Sequence, residues 1–489
     1  MTMAVSSSPE EYGLRPVSFS RLTRRGLLLG LSLPQLVCLA VAGVIIVAAL
    51  VTSGGTGFAL TTPIWMPVVL VAVVRVNGTP LVGWTPILAS WILRTLTGQT
   101  MFRKNLHTPR PVGTLALPGD ATALRYYEDT TTGAVMVHDP HRHTLTAILE
   151  VTHPSFILLD PADQQHRVDT WSRVLATCCR SGRIARLQIL DRTLPDSGSG
   201  LTDWWHRYGR DDGSFTARIY QDLIRRAGPA TERHHTTISL ALDLKTAAKP
   251  IRAAGGGMRG AAHILSQDMA TLATALRSAD LQPRGWLDAP RLAVMLRAAY
   301  DPQATPVLDH HTEVGRGLGT AGPVAVHETW TRLHTDTAWH AVVWISEWPR
   351  TQVYPGFLTP LLLTTGVRRA FTLICTPLRA DQAARDIRRK KTEHVADQAQ
   401  RARIGQLQDA AQSAEYQDVL QQEADLATGH GICRYTGLVT ITASTEDQLQ
   451  AGIAAIEQAA IQAHCETRLL AGQQAQAFTT AALPLCRAD

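Results

Sequence analysis

The chain has 489 residues, 45% of them hydrophobic and 18% charged, with a formal net charge of +6. It is long enough for two or three packed domains and too apolar for a disordered polypeptide. Its seven cysteines include no C-x-x-C pair, which excludes a zinc ribbon or a disulfide framework and fits a reducing setting with buried or neutral thiols.

In chain order, an N-terminal arm over 1–32 carries Arg15, Arg21, Arg24 and Arg25. Pro34–Thr52 (PQLVCLAVAGVIIVAALVT) is uncharged; as a helix it spans about 28 Å, close to the thickness of a bilayer's hydrocarbon core. A short loop, Ser53–Phe58, is predicted next, then a second uncharged run, Ala59–Val74, bent by Pro63 and Pro67 and closed by Arg75. The spacing predicts a transmembrane helical hairpin over 33–76. A cleaved signal peptide is set aside, because a second span follows the first where a cleavage site would stand. Arg75, Arg94, Arg103, Lys104 and Arg110 follow the hairpin, with no acid between Arg75 and Pro111 and no charge in the loop. The positive-inside rule then predicts a multi-pass protein of the cell membrane, with both termini and the main body cytoplasmic.

Over 77–111, Trp84, Ile87, Leu88, Trp91, Ile92 and Leu96 recur at helical spacing beside Arg94. Two readings stay open: a helix lying among lipid headgroups, or an ordinary amphipathic helix packed on the body. Trp65, Arg75, Trp84, Trp91 and Arg94 are the candidate membrane-anchoring residues, with the lipid bilayer as their partner.

The expected body is α+β. A first α/β subdomain over 112–230 begins with short strands at Ala123–Tyr127 and Ala134–His138 around a TTTG turn. Thr144–Thr152 alternates as a strand, Pro161–Arg180 reads as a helix and Arg183–Leu190 as a strand. A second subdomain over 231–378 takes Thr237–Leu244 and Leu281–Leu287 as strands and Met258–Ala279 and Ala289–Tyr300 as helices. Val324–Leu333 and Thr337–Trp348 form its hairpin. Strands alternating with helices in this way predict ferredoxin-like α/β sandwich units.

The 379–428 segment is polar and nearly free of breakers. Arg379, Arg385, Arg388, Arg389, Lys390, Lys391, Arg401 and Arg403 lie in its first part; from Ile404 onward only acids occur: Asp409, Glu415, Asp418, Glu423 and Asp425. Opposite halves suit a long antiparallel helical hairpin, or one arm docking to a partner. A strand at Leu438–Ala443 and a helix near Glu446–His464 then complete the second subdomain within 429–489.

The motifs argue against an engine. Gly317, Gly319 and Gly322 make a formal G-x-G-x-x-G, but His310 and His311 precede it and Pro323 with the strand-like VAVHETW follows. A dinucleotide loop needs a strand before it and a helix after, so that the helix N-terminus faces the phosphates. None of the five lysines (Lys104, Lys245, Lys249, Lys390, Lys391) follows a glycine, so the Gly-Lys-Ser/Thr of a P-loop is absent. His141/His143, His234/His235 and His310/His311 match no established ligand spacing, and adjacent histidines in a strand point to opposite faces. Catalytic, cofactor and metal residues are therefore expected to be none.

Three stretches carry a resemblance: LLDPADQQHRVDTWSRVLATCCRSGRIARLQILDRTLPD (Leu158–Asp196), HTDTAWHAVVWISEWPRTQVYPGFLTPLLL (His334–Leu363) and the run from Gly429 to Leu485. Together they resemble the N-terminal, non-ATPase domain of the TrbE/CagE-type family of type IV secretion ATPases, in the split form found in actinobacteria. The first hundred residues are similar in layout to the small two-helix membrane subunit that some systems fuse to it. The full-length family continues after an LP stretch into a RecA-like domain with Walker motifs; here four residues follow Leu483-Pro484-Leu485.

The resemblance implies a membrane-anchored, non-catalytic subunit of a conjugative DNA-transfer or type IV secretion-like apparatus. It would recruit a separate P-loop ATPase chain, contact other secretion-channel subunits and act as an oligomer in the assembled machine. Arg388, Arg389, Lys390, Lys391, Trp348, Arg350 and Phe478 are the expected partner contacts. Two alternatives are an EccE-like type VII secretion component and a membrane-bound enzyme with an α/β domain. Direct nucleic-acid binding stays open: Arg388–Lys391 is a basic run, diluted by Asp381, Asp386, Glu393 and Asp397.

Overall fold

The structure, a computed structural model, describes residues 14–17, 19, 31–76, 79–105, 107, 111–153, 155–195, 199–227, 232–305, 317–404, 410–428 and 431–488. Of the residues singled out above, Arg21, Arg24, Arg25, Arg110, His310, His311 and Asp409 lie outside that set. The chain divides into two compact units.

The smaller unit, Arg21–Thr100 with Ala471–Gln473, holds helix α1 (Leu33–Val73), the short strands β1 (Arg75–Val76) and β2 (Thr79–Pro80), and helix α2 (Thr85–Leu96). Ser32 caps α1: its backbone N–H donates to Gln35 Oε1 at 2.9 Å, and Pro34 sits in the first turn, where a missing N–H costs nothing. Among the described residues α1 is the one helix long and apolar enough to cross a membrane. This overturns the multi-pass placement. The predicted Ser53–Phe58 loop does not form; those residues stay in the helix and only Gly54 leaves helical geometry, with φ 60° and ψ −144°. Glycine alone adopts that conformation without a steric penalty. The helix bends there, and Gln35 Nε2 near its start donates to Ala72 O near its end at 2.7 Å.

The larger unit is mixed α/β, built on one large antiparallel sheet of thirteen strands among the described residues. In chain order it contains β3 (Met101–Arg103), β4 (Arg125–Glu128), β5 (Val135–Asp139), β6 (Thr144–Thr152), α3 (Pro161–Ser181), β7 (Ile184–Pro195), α4 (Ser199–Tyr208), α5 (Phe215–Ala227) and β8 (Glu232–Asp243). There follow α6 (Ala248–Ala253), α7 (Gly257–Arg277), β9 (Gln282–Trp286) and α8 (Ala289–Tyr300). Then come β10 (Ala325–Glu328), β11 (Leu333–Thr335), β12 (Trp339–Glu347), α9 (Thr359–Leu362), β13 (Arg368–Pro377), α10 (Ala380–Ile404) and α11 (Ala410–Ala427). The last are β14 (Cys433–Ala443), α12 (Glu446–Gln462), β15 (Glu466–Leu469) and α13 (Gln474–Ala481).

The same connectivity runs twice. In the first round β7, β8, β6 and β9 pair side by side, and β5 and β4 continue as a meander from β6. In the second, β13, β14, β12 and β15 pair in the same order, and β11 and β10 continue from β12. Register shifts fall at matching places, between Glu150 and Val151 on β6 and between Ile345 and Glu347 on β12. Each round ends in a helix after its last strand, α8 or α13. Strand β8, which the sequence reading put at the head of a second subdomain, belongs to the first round through its ladders with β6 and β7. The rounds meet where β7 pairs antiparallel with β13, Leu373 opposite Ile189.

Alternation in the strands sets three layers, because successive side chains point to opposite faces. Leu145, Ala147 and Leu149 of β6 face α3 and α7, while Ile148 faces the other side. Ala341, Val343 and Ile345 of β12 face α12, while Val342 faces away. The second face is covered by α8, α13, the 115–124 segment and Leu483 and Leu485. Local caps agree with this plan: the Asp288 carboxylate accepts from Arg291 N–H at the start of α8, and the Thr445 hydroxyl from Gln448 N–H at the start of α12.

Candidate functional site

Each round opens its β7–β8 or β13–β14 hairpin to insert a pair of helices: α4–α5 in the first, α10–α11 in the second. Since β7 and β13 run antiparallel, the two arms leave from opposite ends of the central strands.

The α10–α11 arm is antiparallel. Lys391 Nζ donates to Glu423 Oε2 at 2.7 Å, and the His394 and Tyr416 rings stack at 4.5 Å. Its root is fixed by buried Ala383 and Ile387 and by Arg434 on β14, which donates to Asp386 at 3.0 Å. Of the basic run, Arg389 pairs with Glu393 at 2.7 Å and Lys391 with Glu423, while Arg388 and Lys390 are exposed.

The α4–α5 arm has a different character. Trp205 stacks on Tyr220 at 5.0 Å and holds the helices together, and Ala217 and Ile224 are buried beneath α5. The outer face is apolar: Phe215, Ile219 and Leu223 are 71%, 52% and 56% exposed, with Trp204 and Tyr208 exposed on α4. Residues four apart stack one above another on a helix, so the three α5 side chains form one stripe. Arg218, Arg225 and Arg226 flank it, the last two paired with Asp222. A contiguous exposed apolar stripe rimmed by charge is the kind of surface that partners or membranes cover. The sequence reading passed over this arm; Trp204-Trp205 and the Phe215/Ile219/Leu223 spacing were the available signal.

The sequence-predicted contacts scatter. Arg388–Lys391 lie on α10. Arg350 is exposed, donating to Glu347 and, at 3.1 Å, to Glu466. Trp348 stacks at 5.4 Å on Phe19 of the chain's own N-terminal segment. Phe478 is 1% exposed, wedged against the Tyr300 and His340 rings at 5.0 and 4.6 Å. Phe478 is therefore a core residue, not a contact surface.

In the smaller unit, Trp84, Ile87, Trp91 and Arg94 line the half-buried side of α2 and Leu88, Ile92, Leu93 and Leu96 are exposed. The Arg94 guanidinium lies 5.6 Å from the Trp91 ring centre and donates to Gly472 O. Trp65 lies against Phe58 at 5.2 Å, and Arg75 is exposed on β1.

Gly317, Gly319 and Gly322 do not form a phosphate loop. A short 3-10 turn, Leu318–Thr320, is followed by β10 rather than a helix. A Cβ on Gly322 would run into the Ala116 carbonyl, so close backbone approach accounts for that glycine.

Two histidine–carboxylate clusters sit near the root of α4–α5, one on each face of the sheet. On one, His234 Nδ1 meets Asp191 Oδ2 at 2.9 Å, the Thr236 hydroxyl donates to Asp191 Oδ1 at 2.8 Å, and His153 Nε2 is 3.4 Å from Thr236 Oγ1. Burial opposes ionisation of Asp191, but the His234 and Thr236 hydrogen bonds hold its carboxyl below the usual range. The same bond raises His234. On the other face, His235 Nε2 lies 3.4 Å from Glu150 and lowers it, helped by Arg291 and Arg284 at 3.7 Å. Adjacent histidines thus serve opposite faces, as the strand period requires. Among the described residues no group of three or more His, Cys, Asp or Glu is arranged to hold a metal ion.

No family model matches this chain. No curated protein matches it either.

Proposed function

We propose that this chain is a membrane-anchored, non-catalytic subunit of a conjugative DNA-transfer or type IV secretion-like apparatus, recruiting a separate P-loop ATPase chain. The observation that carries the reading is the exposed stripe of Phe215, Ile219 and Leu223 on an arm inserted into a duplicated sheet. An amphipathic helix with i, i+4, i+8 apolar residues is a standard way to dock a partner. In this reading α1, bent at Gly54, is the bilayer anchor, and the exposed Leu88, Ile92, Leu93 and Leu96 of α2 meet lipid. The two rounds are ferredoxin-like units, and α10–α11 is a long helical hairpin insertion offering Arg388 and Lys390 to other channel subunits.

The test is co-isolation from membranes in mild detergent. The wild type should retain a P-loop ATPase encoded beside it, and the double substitution Ile219→Asp, Leu223→Asp should reduce that retention about tenfold or more. Equal retention by the folded variant would sink the α4–α5 assignment. No ATPase in either preparation would sink the reading itself.

One observation favours a second reading, a membrane-bound enzyme: the hydrogen-bonded chain His153–Thr236–Asp191–His234. Under it, Asp191→Asn abolishes a turnover and leaves partner capture intact; under the scaffold reading, it alters neither.

A further inference from the structure

We propose that Cys179 and Cys433 form a redox-active thiol pair, closed to a disulfide by a peroxide, that staples the first round of the sheet to the second. Cys179 lies in the last turn of α3 and Cys433 opens β14, so the pair is 254 residues apart in sequence. Their sulfurs are 3.4 Å apart. A disulfide needs about 2.05 Å, so a closure of roughly 1.4 Å makes the bond. Gly431 packs directly on Cys179: a Cβ there would stand 2.5 Å from its sulfur, so only glycine lets the thiol sit where it does. Cys179 is 7% exposed and Cys433 half-buried, so the pair calls for an oxidant as small as a peroxide.

The neighbours make the pair selective. Cys178 and Cys375 are buried close by, and burial pushes Cys178 up to about 12 and Cys375 higher still. The hydrogen bond from the Cys433 thiol lowers Cys179 against the effect of burial, and the same bond, with burial, raises Cys433. In the thiol form Cys179 also donates weakly to Ile432 O at 3.7 Å. Cys179 is then the one sulfur of these four that is made easier rather than harder to ionise, and thiolate is the form that reacts.

The chemistry balances with hydrogen peroxide as oxidant. The Cys179 thiolate attacks one peroxide oxygen, the O–O bond breaks, and sulfenic acid forms as hydroxide leaves and takes a proton to become water. The Cys433 sulfur attacks the sulfenic sulfur, the S–S bond forms, and the sulfenic oxygen leaves as a second water carrying the Cys433 proton. Two thiols are oxidised by two electrons and one peroxide is reduced to two waters.

The experiment uses the full reduced chain in detergent, treated with stoichiometric hydrogen peroxide, then alkylated and mapped by peptide mass spectrometry. Cys179 and Cys433 should lose alkylation in parallel, appear as one cross-linked peptide pair short of two hydrogens, and return with dithiothreitol. In Cys433→Ser, Cys179 should stop at sulfenic acid, trapped by dimedone. The proposal is overturned if Cys179 pairs with Cys178, if Cys433 pairs with Cys375, or if Cys179 is over-oxidised while Cys433 stays free. Mapping the wild type decides this alone should the variant fail to fold.

Discussion

His340 shows how much one buried ring governs. Its Nε2 is 2.8 Å from Thr335 Oγ1, and its Nδ1 is 2.9 Å from Thr442 Oγ1. The Thr335 hydroxyl spends its hydrogen on Tyr300 O at 2.6 Å, so it accepts from Nε2–H, and Nδ1 accepts from Thr442. That fixes a neutral tautomer, and burial pushes the ring down to about 3. The folded value lies below the unfolded one. The stability it supports is therefore complete above pH 6.5 and falls as pH drops toward 3. Between pH 6.5 and 5 the wild type should lose up to about 1.4 kcal/mol per pH unit more than His340→Gln, read from urea unfolding across pH. The same pocket holds Phe478. Phe478→Ala empties a site between Tyr300 and His340 and should cost about 3–5 kcal/mol, seen as a lower urea midpoint at unchanged slope. A surface role for Phe478 would give almost no change.

At the scale of elements, the two arms differ in what their exposed faces are for. Ile219 and Leu223 are more than half exposed, so with Ile219→Asp and Leu223→Asp stability should stay within about 1 kcal/mol of wild type by thermal unfolding while partner retention falls. A large loss of stability would mean the stripe is packed against something of the chain's own. The elements that were legible in sequence had one clean period. Thr144–Thr152 alternates and is β6 residue for residue; Ala289–Tyr300, with Asp288 before it and Pro290 inside its first turn, is α8 as expected. The charge split of 379–428 foretold an antiparallel pair, and Lys391 on Glu423 bears that out. Arg368–Pro377 escaped notice because β13 is central, covered on both faces, and so lacks alternation. The site was far less legible. Cys179 and Cys433 are 254 residues apart in sequence and meet only through the fold, where the last turn of α3 reaches the start of β14. Phe478 stood among the expected partner contacts, and nothing in its short helix, α13, marks it in sequence as the residue that fills the pocket between Tyr300 and His340.

At the scale of the molecule, the rounds do not stand apart. The β7–β13 ladder makes one sheet of two halves, and the C-terminal tail crosses it on the α8/α13 face. Gln188 on β7 donates to Thr480 O and Leu483 O at 3.1 and 3.0 Å and accepts from Cys486 N–H at 2.6 Å. Ser239 on β8 donates to Pro484 O at 2.8 Å. Arg487 then anchors the tail's end on Asp139 at 2.9 Å and Asp120 at 2.8 Å, with Arg487 and Asp139 both buried. The tail belongs to the second round by sequence and to the first by contact, so neither round closes its core without the other. Hydrogen exchange should therefore give β6–β8 and β12–β14 the same opening free energy, one cooperative unit rather than two. Arg487→Ala removes the nearer of the two cations on the buried Asp139 carboxylate, leaving Arg142 at 3.8 Å, and should lower that shared value by about 1–3 kcal/mol. The loss should appear in β6–β8 and β12–β14 alike. Protection lost in the first round alone would mean that the duplicated halves fold as independent bodies, and that the sheet is joined at β7–β13 without being coupled there.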